Sequence, residues 1–380
     1  MTMLRHLCGP LALCALLLAP RTLPAQEAEG LRAAEAAQRA LPRAPRLPRT
    51  AFLENRTLVA AALSPAGDAV AYLRERKASR ALWLLPADGG RARMLLGATQ
   101  AEQVTWSRDG RWLFLRGPRA LAIVGVDGRS GVRVPLGGSE RRRVMKLDPS
   151  QPAAVLLRER VAIGKGERWR VLRMDAQGKR TLLREDARWI HDVALDAQGR
   201  IVALARFEGE HDALYRVRSG GTLHEVLRLR PMERLELLAA RADGSLLLAG
   251  NPRSTAPGGD FRRVMQLDPD DRLQTVHQDP RGEADLDEVV VDPGTQQPLA
   301  ASYRSTVAAT HGIGDAQAVV ADIARRFPGR DIGLQAGSGP SARWLVSERA
   351  ATLRDPRWWL YDPRNATLRR VLEDPGITAG

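Results

Sequence analysis

The sequence predicts an all-β fold, a β-propeller of seven four-stranded blades, and three observations carry that prediction. The first is a turn-and-strand signature. Leu63-Ser64-Pro65-Ala66-Gly67-Asp68 precedes Val70-Ala71-Tyr72-Leu73, and Trp106-Ser107-Arg108-Asp109-Gly110 precedes Trp112-Leu113-Phe114-Leu115. Weaker copies stand at Leu195–Leu204 and Ala242–Leu248, so the turn glycines 67, 110, 199 and 244 are spaced by 43, 89 and 45. The middle gap spans two periods and predicts one more turn near Asp148-Pro149-Ser150. A period in the forties with strand–turn–strand content marks a propeller blade.

The second observation is a hairpin motif alternating with the first. Leu82–Gly90, Leu121–Gly128, Trp169–Gly178, Val264–Asp270 and Trp359–Asn365 each run from an apolar strand into an Asp-Gly, Asp-Ala or Asp-Pro turn, and a shorter copy lies at Leu214–Val217. Glycine reaches positive φ without a Cβ clash, proline presets φ, and aspartate bonds its own turn, so these strings are hairpins for a backbone reason. Two hairpins per period make one four-stranded blade. The third observation is length: the periodic region runs from Leu58 to Glu373, 316 residues. Blades of about 40–50 residues then number about seven.

Taken in order, residues 1–25 read as a secretion signal. Arg5 supplies the positive start, Leu11–Ala19 an apolar core too short for a bilayer, and Leu23-Pro24-Ala25 a cleavage site. Residues 26–57 form an N-terminal arm, rich in Ala, Arg, Glu and Pro, read as a leader or short helix. Residues 58–380 form the propeller, with blades at 58–100, 101–140, 141–186, 187–230, 231–280, 281–330 and 331–374. Blade six is the irregular one. Within it, Ala316–Phe327 has helical spacing, with 319, 320, 323 and 327 on one face and Pro328-Gly329 as the stop, and is expected as a helix inserted between strands. Trp358, Trp359 and Leu360 of the last blade are expected to pack near the Leu58–Leu63 strand and close the ring.

Composition bounds the chemistry. Both cysteines, Cys8 and Cys14, fall in the signal, so the mature chain is expected to hold neither disulfide nor thiolate metal site. The net charge is +14, yet the lysines are only 77, 146, 165 and 179; arginines supply the other 54 of 58 cations and are spread among acids through every blade. A solvated basic surface explains that pattern better than a phosphate-binding patch, and an exported chain does not meet nucleic acid, so no nucleic-acid partner is expected. A Gly-x-Ser-x-Gly elbow does not occur; Ser338 in Gly337-Ser338-Gly339 reads as a turn residue. The histidines beyond the signal, at 191, 211, 224, 277 and 311, have no metal-ligand spacing, and no phosphate loop, dinucleotide or calcium-loop string is present. The expectation is therefore no catalytic residue, no metal and no cofactor. Trp189-Ile190-His191-Asp192 lies where blade four enters its innermost strand, which makes Trp189 and His191 the candidate channel-facing ligand residues.

The strings taken together resemble the N-terminal propeller of the prolyl oligopeptidase (S9) family of serine peptidases, of the bacterial exported dipeptidyl and acylaminoacyl peptidase type. The resemblance rests on Pro48–Asn55 as lead-in, Leu63–Leu73, Trp83–Gly90 and Val104–Trp112, then Val291-Asp292-Pro293, Phe327-Pro328-Gly329-Arg330 and Tyr361-Asp362-Pro363. The Ser-Pro-x-Gly and Trp-Ser-x-Asp-Gly turns are also shared with TolB-type propellers. In the family an α/β-hydrolase domain follows the propeller and carries the nucleophile, aspartate and histidine. Here the chain ends at Gly380, just past the last blade, and no position matches those residues. What the resemblance implies is the gating half alone. The expected function is an exported, non-catalytic module in the periplasm or secreted, binding a peptide or an envelope protein. The alternatives are the propeller half of a split peptidase whose hydrolase is a separate chain, and a TolB-like envelope scaffold.

Overall fold

The computed structural model of the protein describes residues 25–40, 57–76, 78–137, 141–252, 260–339, 342–350, 353 and 355–372. Residues 1–24, the Pro48–Asn55 lead-in and the tail beyond Leu372 lie outside the described residues. Two units are compact on their own, 1–54 and 55–380. The first contains helix α1 (Ala25–Ala40), where Arg39 reaches Glu35 at 2.6 Å one turn away. Among the described residues no helix is long and apolar enough to cross a membrane.

The second unit is the propeller. Seven antiparallel sheets follow one another along the chain, six with four strands and one with three. Their first strands are Leu58–Leu63, Gln103–Trp106, Arg142–Leu147, Ile190–Leu195, Leu235–Ala240, Asp285–Val291 and Asp331–Ala336. These are the innermost strands, each beginning a predicted blade. The end where they start is called the upper face below, and the end where they turn into the second strand the lower face. The turn expected at Asp148-Pro149-Ser150 is present between the first and second strands of blade three.

One backbone pattern builds the lower turns. The amide after the first strand bonds to the start of the second, and the turn glycine bonds back three residues: Ser64 N to Ala69 O and Gly67 N to Ser64 O, then Ser107 with Trp112 and Gly110, Asp196 with Arg200 and Gly199, Arg241 with Ser245 and Gly244. Glycines 67, 110, 199 and 244 all have positive φ, between 68° and 83°. That conformation is strained for any residue with a Cβ. Side chains complete the turns from inside. Ser64, Ser107, Asp148, Ser245 and Asp292 are buried, and each bonds to backbone or side chain within its own turn. Buried polar groups are tolerated because they are satisfied.

Blade six is three-stranded, and helix α2 (Gln317–Arg325) follows its third strand, Ala308–Gly312. The helix thus comes after the last strand of the blade rather than between two strands. Its predicted face is the packed one: Val320, Ile323 and the following Phe327 are buried against Leu334, Val346 and Trp359. An amphipathic helix can cover a sheet edge in place of a fourth strand.

The ring closes between blades seven and one without a shared sheet; among the described residues no strand of one blade pairs into the sheet of the other. Leu345, Trp358, Leu360 and Leu372 share a core with Leu58, Leu63, Val70 and Tyr72. Two of the three expected closure residues are therefore at the seam. Trp359 is not: it points to the opposite side of the sheet and meets Phe327 edge-on at 5.7 Å. Alternate residues of a strand face opposite sides, so Trp358 and Trp359 could not both reach blade one. Polar contacts finish the seam. Gln335 accepts from Leu63 N at 3.0 Å and donates to Ala61 O at 3.0 Å. At the lower face Arg343 binds Asp88 and Asp362, and Ser338 N donates to Pro65 O at 2.7 Å.

Candidate functional site

An innermost strand is a sheet edge, with unpaired amides and carbonyls facing the central channel. Side chains from neighbouring blades occupy part of that edge. Trp106 Nε1 donates to Ala62 O at 2.9 Å, joining blades two and one. Lys146 of blade three binds Asp192 of blade four at 2.7 Å and also donates to Leu237 O of blade five, while Asp192 accepts from Leu237 N at 2.9 Å. The lower half of the channel holds a cavity of about 370 Å³, walled by Leu63, Val104, Val290, Leu334 and the side chains of Glu288 and Gln335. Glu288 keeps exposed surface inside the channel, but desolvation there raises its pKa above the usual carboxylate range, against the pull of Arg349.

The lower mouth is crossed by one side chain. Arg108, from the blade-two turn, donates through Nε to Pro293 O at 3.1 Å and through Nη2 to Gly294 O at 3.3 Å, both in blade six. Its Nη1 donates to Pro149 O in blade three. One guanidinium thus ties three blades across the opening, which suits its planar fork of donors.

The upper rim differs. Trp189 and His191, the residues singled out by sequence, stand together there, ring centres 4.2 Å apart. His191 Nε2 lies 2.6 Å from Asp212 Oδ1, at the start of the third strand of the same blade. Trp189 also meets Phe207 at 6.5 Å and Trp169 of blade three at 5.9 Å. The Arg158 guanidinium sits 5.4 Å from the Trp169 ring and 5.2 Å from that of Trp189, and donates to Ile190 O at 3.3 Å. Such stacking fixes the arginine by cation–π attraction. Trp189 and Phe207 remain 38% and 37% exposed, large apolar area left at the rim. Removal from water pushes the His191 pKa down; Asp212 opposes this and Arg158 adds to it, so the ring is neutral near pH 7.

Sequence reading missed Arg158, Trp169, Phe207 and Asp212. The long second and third strands of blade three, Ala154–Ile163 and Gly166–Asp175, were the available signal, because they raise Arg158 and Trp169 to the rim. Ser338 lies in the lower turn between the first two strands of blade seven, its amide held by Pro65. Among the described residues no group of three or more His, Cys, Asp or Glu is placed to hold a metal ion.

Fold and rim together define the class: a seven-bladed propeller closed without a shared sheet. No protein-family model matches the chain, and no curated protein matches its sequence. Solved structures do share its fold. A prolyl endopeptidase aligns with a TM-score of 0.56 at 13% identity, over 92% of this chain and 55% of that one. The acylaminoacyl peptidase of Pyrococcus horikoshii aligns with a TM-score of 0.52 at 11% identity, over 85% of this chain and 52% of that one. The isolated β-propeller domain of the Trilobed protease of Pyrococcus furiosus, described as having an open velcro topology, aligns with a TM-score of 0.54 at 9% identity over its whole length and 84% of this chain. The present chain spans about half the length of the first two. The likeness is one of fold, and it agrees with the S9-type propeller that the sequence strings resemble.

Proposed function

We propose that this chain is an exported, non-catalytic propeller, periplasmic or secreted, that binds a peptide or an envelope protein on its upper face, with Trp189 and His191 at the contact. The observation that carries the reading is the asymmetry of the channel: Arg108 straps the lower mouth, while the upper rim keeps Trp189 and Phe207 partly exposed around a fixed guanidinium. Exposed rigid aromatics beside an arginine are the side chains that most often dominate protein recognition. Export rests on the charge, apolar core and cleavage site of residues 1–25. The test is fluorescence anisotropy of the purified chain with a pool of labelled octapeptides, beside a peptidase assay of the same preparation. Saturable binding lost in Trp189→Ala, with no turnover, supports the reading. Turnover blocked by a serine-directed inhibitor contradicts it.

One observation favours a second reading, in which the upper face docks a hydrolase domain on another chain. Each blade makes an even number of passes (α2 supplying the last in blade six), so the chain both enters and leaves the ring at the upper face. The similar peptidases extend well beyond the aligned propeller, this chain covering 55% and 52% of them. Co-purification of a hydrolase chain cross-linked to residues of the upper face separates this reading from peptide binding alone.

A further inference from the structure

We propose that the upper face carries a second, independent binding site: a cleft between the outer half of blade one and blade two that takes small amphipathic carboxylates, an aliphatic body ending in a carboxylate group. The cleft has a volume of about 700 Å³, within the size range of small-molecule sites. It depends on neither the channel nor the aromatic rim.

Small side chains create the space. Ala120 and Ala122 alternate along the third strand of blade two and so share one face, the face turned to the cleft. Gly117, in the hairpin before them, lies so close to blade one that a Cβ would stand 2.8 Å from Gln100 O. Leu96 and the buried Leu115 provide an apolar floor. That floor would shed water against an aliphatic chain.

The charge of the cleft selects the head group. Arg119 and Arg133 both line it, both are exposed, and no residue of the lining is acidic. Neither has an ion pair among the described residues, whereas Arg142, Arg173 and Arg206 elsewhere in the ring bind Glu159, Asp148 and Asp186. In the register of the blade Arg133 stands opposite Ala122, and Arg119 directly precedes the third strand. Two guanidiniums without carboxylate partners beside an apolar floor fit a planar, bidentate anion with a greasy tail. An amine would be repelled, and an uncharged amphiphile would gain only the floor. The same head and tail occur in a free fatty acid and in a peptide C-terminus with an aliphatic last residue.

The test is isothermal titration of the full chain with four probes: octanoate, octanol, acetyl-Ala-Leu and acetyl-Ala-Leu amide. The site predicts that at least one carboxylate binds about ten-fold or more tighter than its uncharged analogue. Octanoate alone identifies a fatty-acid site; acetyl-Ala-Leu alone identifies a peptide C-terminus; both together define the shared chemistry. The double variant Arg119→Ala/Arg133→Ala, at exposed positions, should lose about ten-fold in affinity with an unchanged melting curve, and Ala122→Leu should block the cleft. If Ala122→Leu fails to fold, the arginine variant decides. Equal affinity for charged and uncharged probes, or full affinity in the double arginine variant, overturns the proposal.

Discussion

The lower and upper faces of this ring are built by opposite strategies. Below, one turn recurs in blades one, two, four and five: a glycine at positive φ, the same pair of backbone bonds, and a Ser or Asp that is buried in blades one, two and five and half-buried in blade four. Arg108 and Arg343 then bind these turns to their neighbours across the channel and across the seam, Arg343 through Gly67 O and Asp88 of blade one. Above, little repeats. Blade three is elongated, blade four carries the aromatic rim, and blades one and two frame a cleft around Arg119 and Arg133. On the proposed reading, stability is concentrated where the blades are alike and the binding chemistry where they differ. A scaffold held at one end leaves side chains at the other free to diverge.

Substitutions at the two faces should therefore separate stability from binding, and the lower face should give the largest losses of stability. Asp148 is fully buried and holds Arg173 Nε at 2.5 Å and Ser150 N at 2.7 Å. Asp148→Ala should cost about 3 kcal/mol, since it strands a largely buried guanidinium and two turn donors; denaturant unfolding measures this. A loss below about 1 kcal/mol would show that the turns are not the clasp. Gly67→Ala should cost about 1–2 kcal/mol, from positive φ and from crowding; its Cβ would meet Arg343 N at 3.1 Å, across the seam. At the upper face Trp189→Ala should cost about 1 kcal/mol or less, because the ring is partly exposed, yet abolish octapeptide binding. Equal effects on binding from Gly67→Ala and Trp189→Ala would dissolve the comparison.

The smallest effect expected is one of pH, and it too falls on the upper face. His191 starts its strand there, and His277 ends its strand there, with Nδ1 2.8 Å from the buried Tyr303 hydroxyl; His311 lies 5.8 Å from His277. Removal from water lowers all three pKa values below 6.5; His311 adds to the depression at His277, Arg158 to that at His191 and Arg281 to that at His311, while Asp212 at His191 and Asp279 at the other two oppose it. Burial raises the Tyr303 pKa, so its hydroxyl stays protonated throughout. For a base depressed in the folded state, the unfolded chain binds more protons. Stability is then full above about pH 6.5 and is lost as pH falls through the folded pKa values. Melting curves between pH 7.5 and 5 should show the loss, and the His277→Asn/His311→Asn double variant should flatten it. A melting temperature that rises on acidification over this range reverses the sign and contradicts the assignment.

The lower face was legible in the sequence because its chemistry is local. Ser64 bonds to residues four and five along, Asp196 to residues two and four along, and the glycines mark the turns themselves. The helix of blade six was legible in its 3.6-residue period, though not its place after the third strand, which depends on which strands pair. The upper face was half legible. Trp189 and His191 stood out as unusual residues, but the Arg158 that packs on Trp189 comes from another blade. Contacts such as Arg108 to Pro293 and Gln335 to Leu63 span 185 and 272 residues. No local pattern records such pairs, since they arise only when the ring closes. The same holds for the blade one–two cleft, whose small residues look unremarkable until two blades face each other.

The division between a clasped lower face and a proposed binding site on the upper face is tested most directly by hydrogen–deuterium exchange of the full chain with and without the saturating octapeptide pool. The account predicts slowed exchange around Arg158–Trp169, Asp186–His191 and Phe207–Asp212, with the lower turns at Ser64–Ala69 and Ser107–Trp112 unchanged. Protection confined to those lower turns would contradict it.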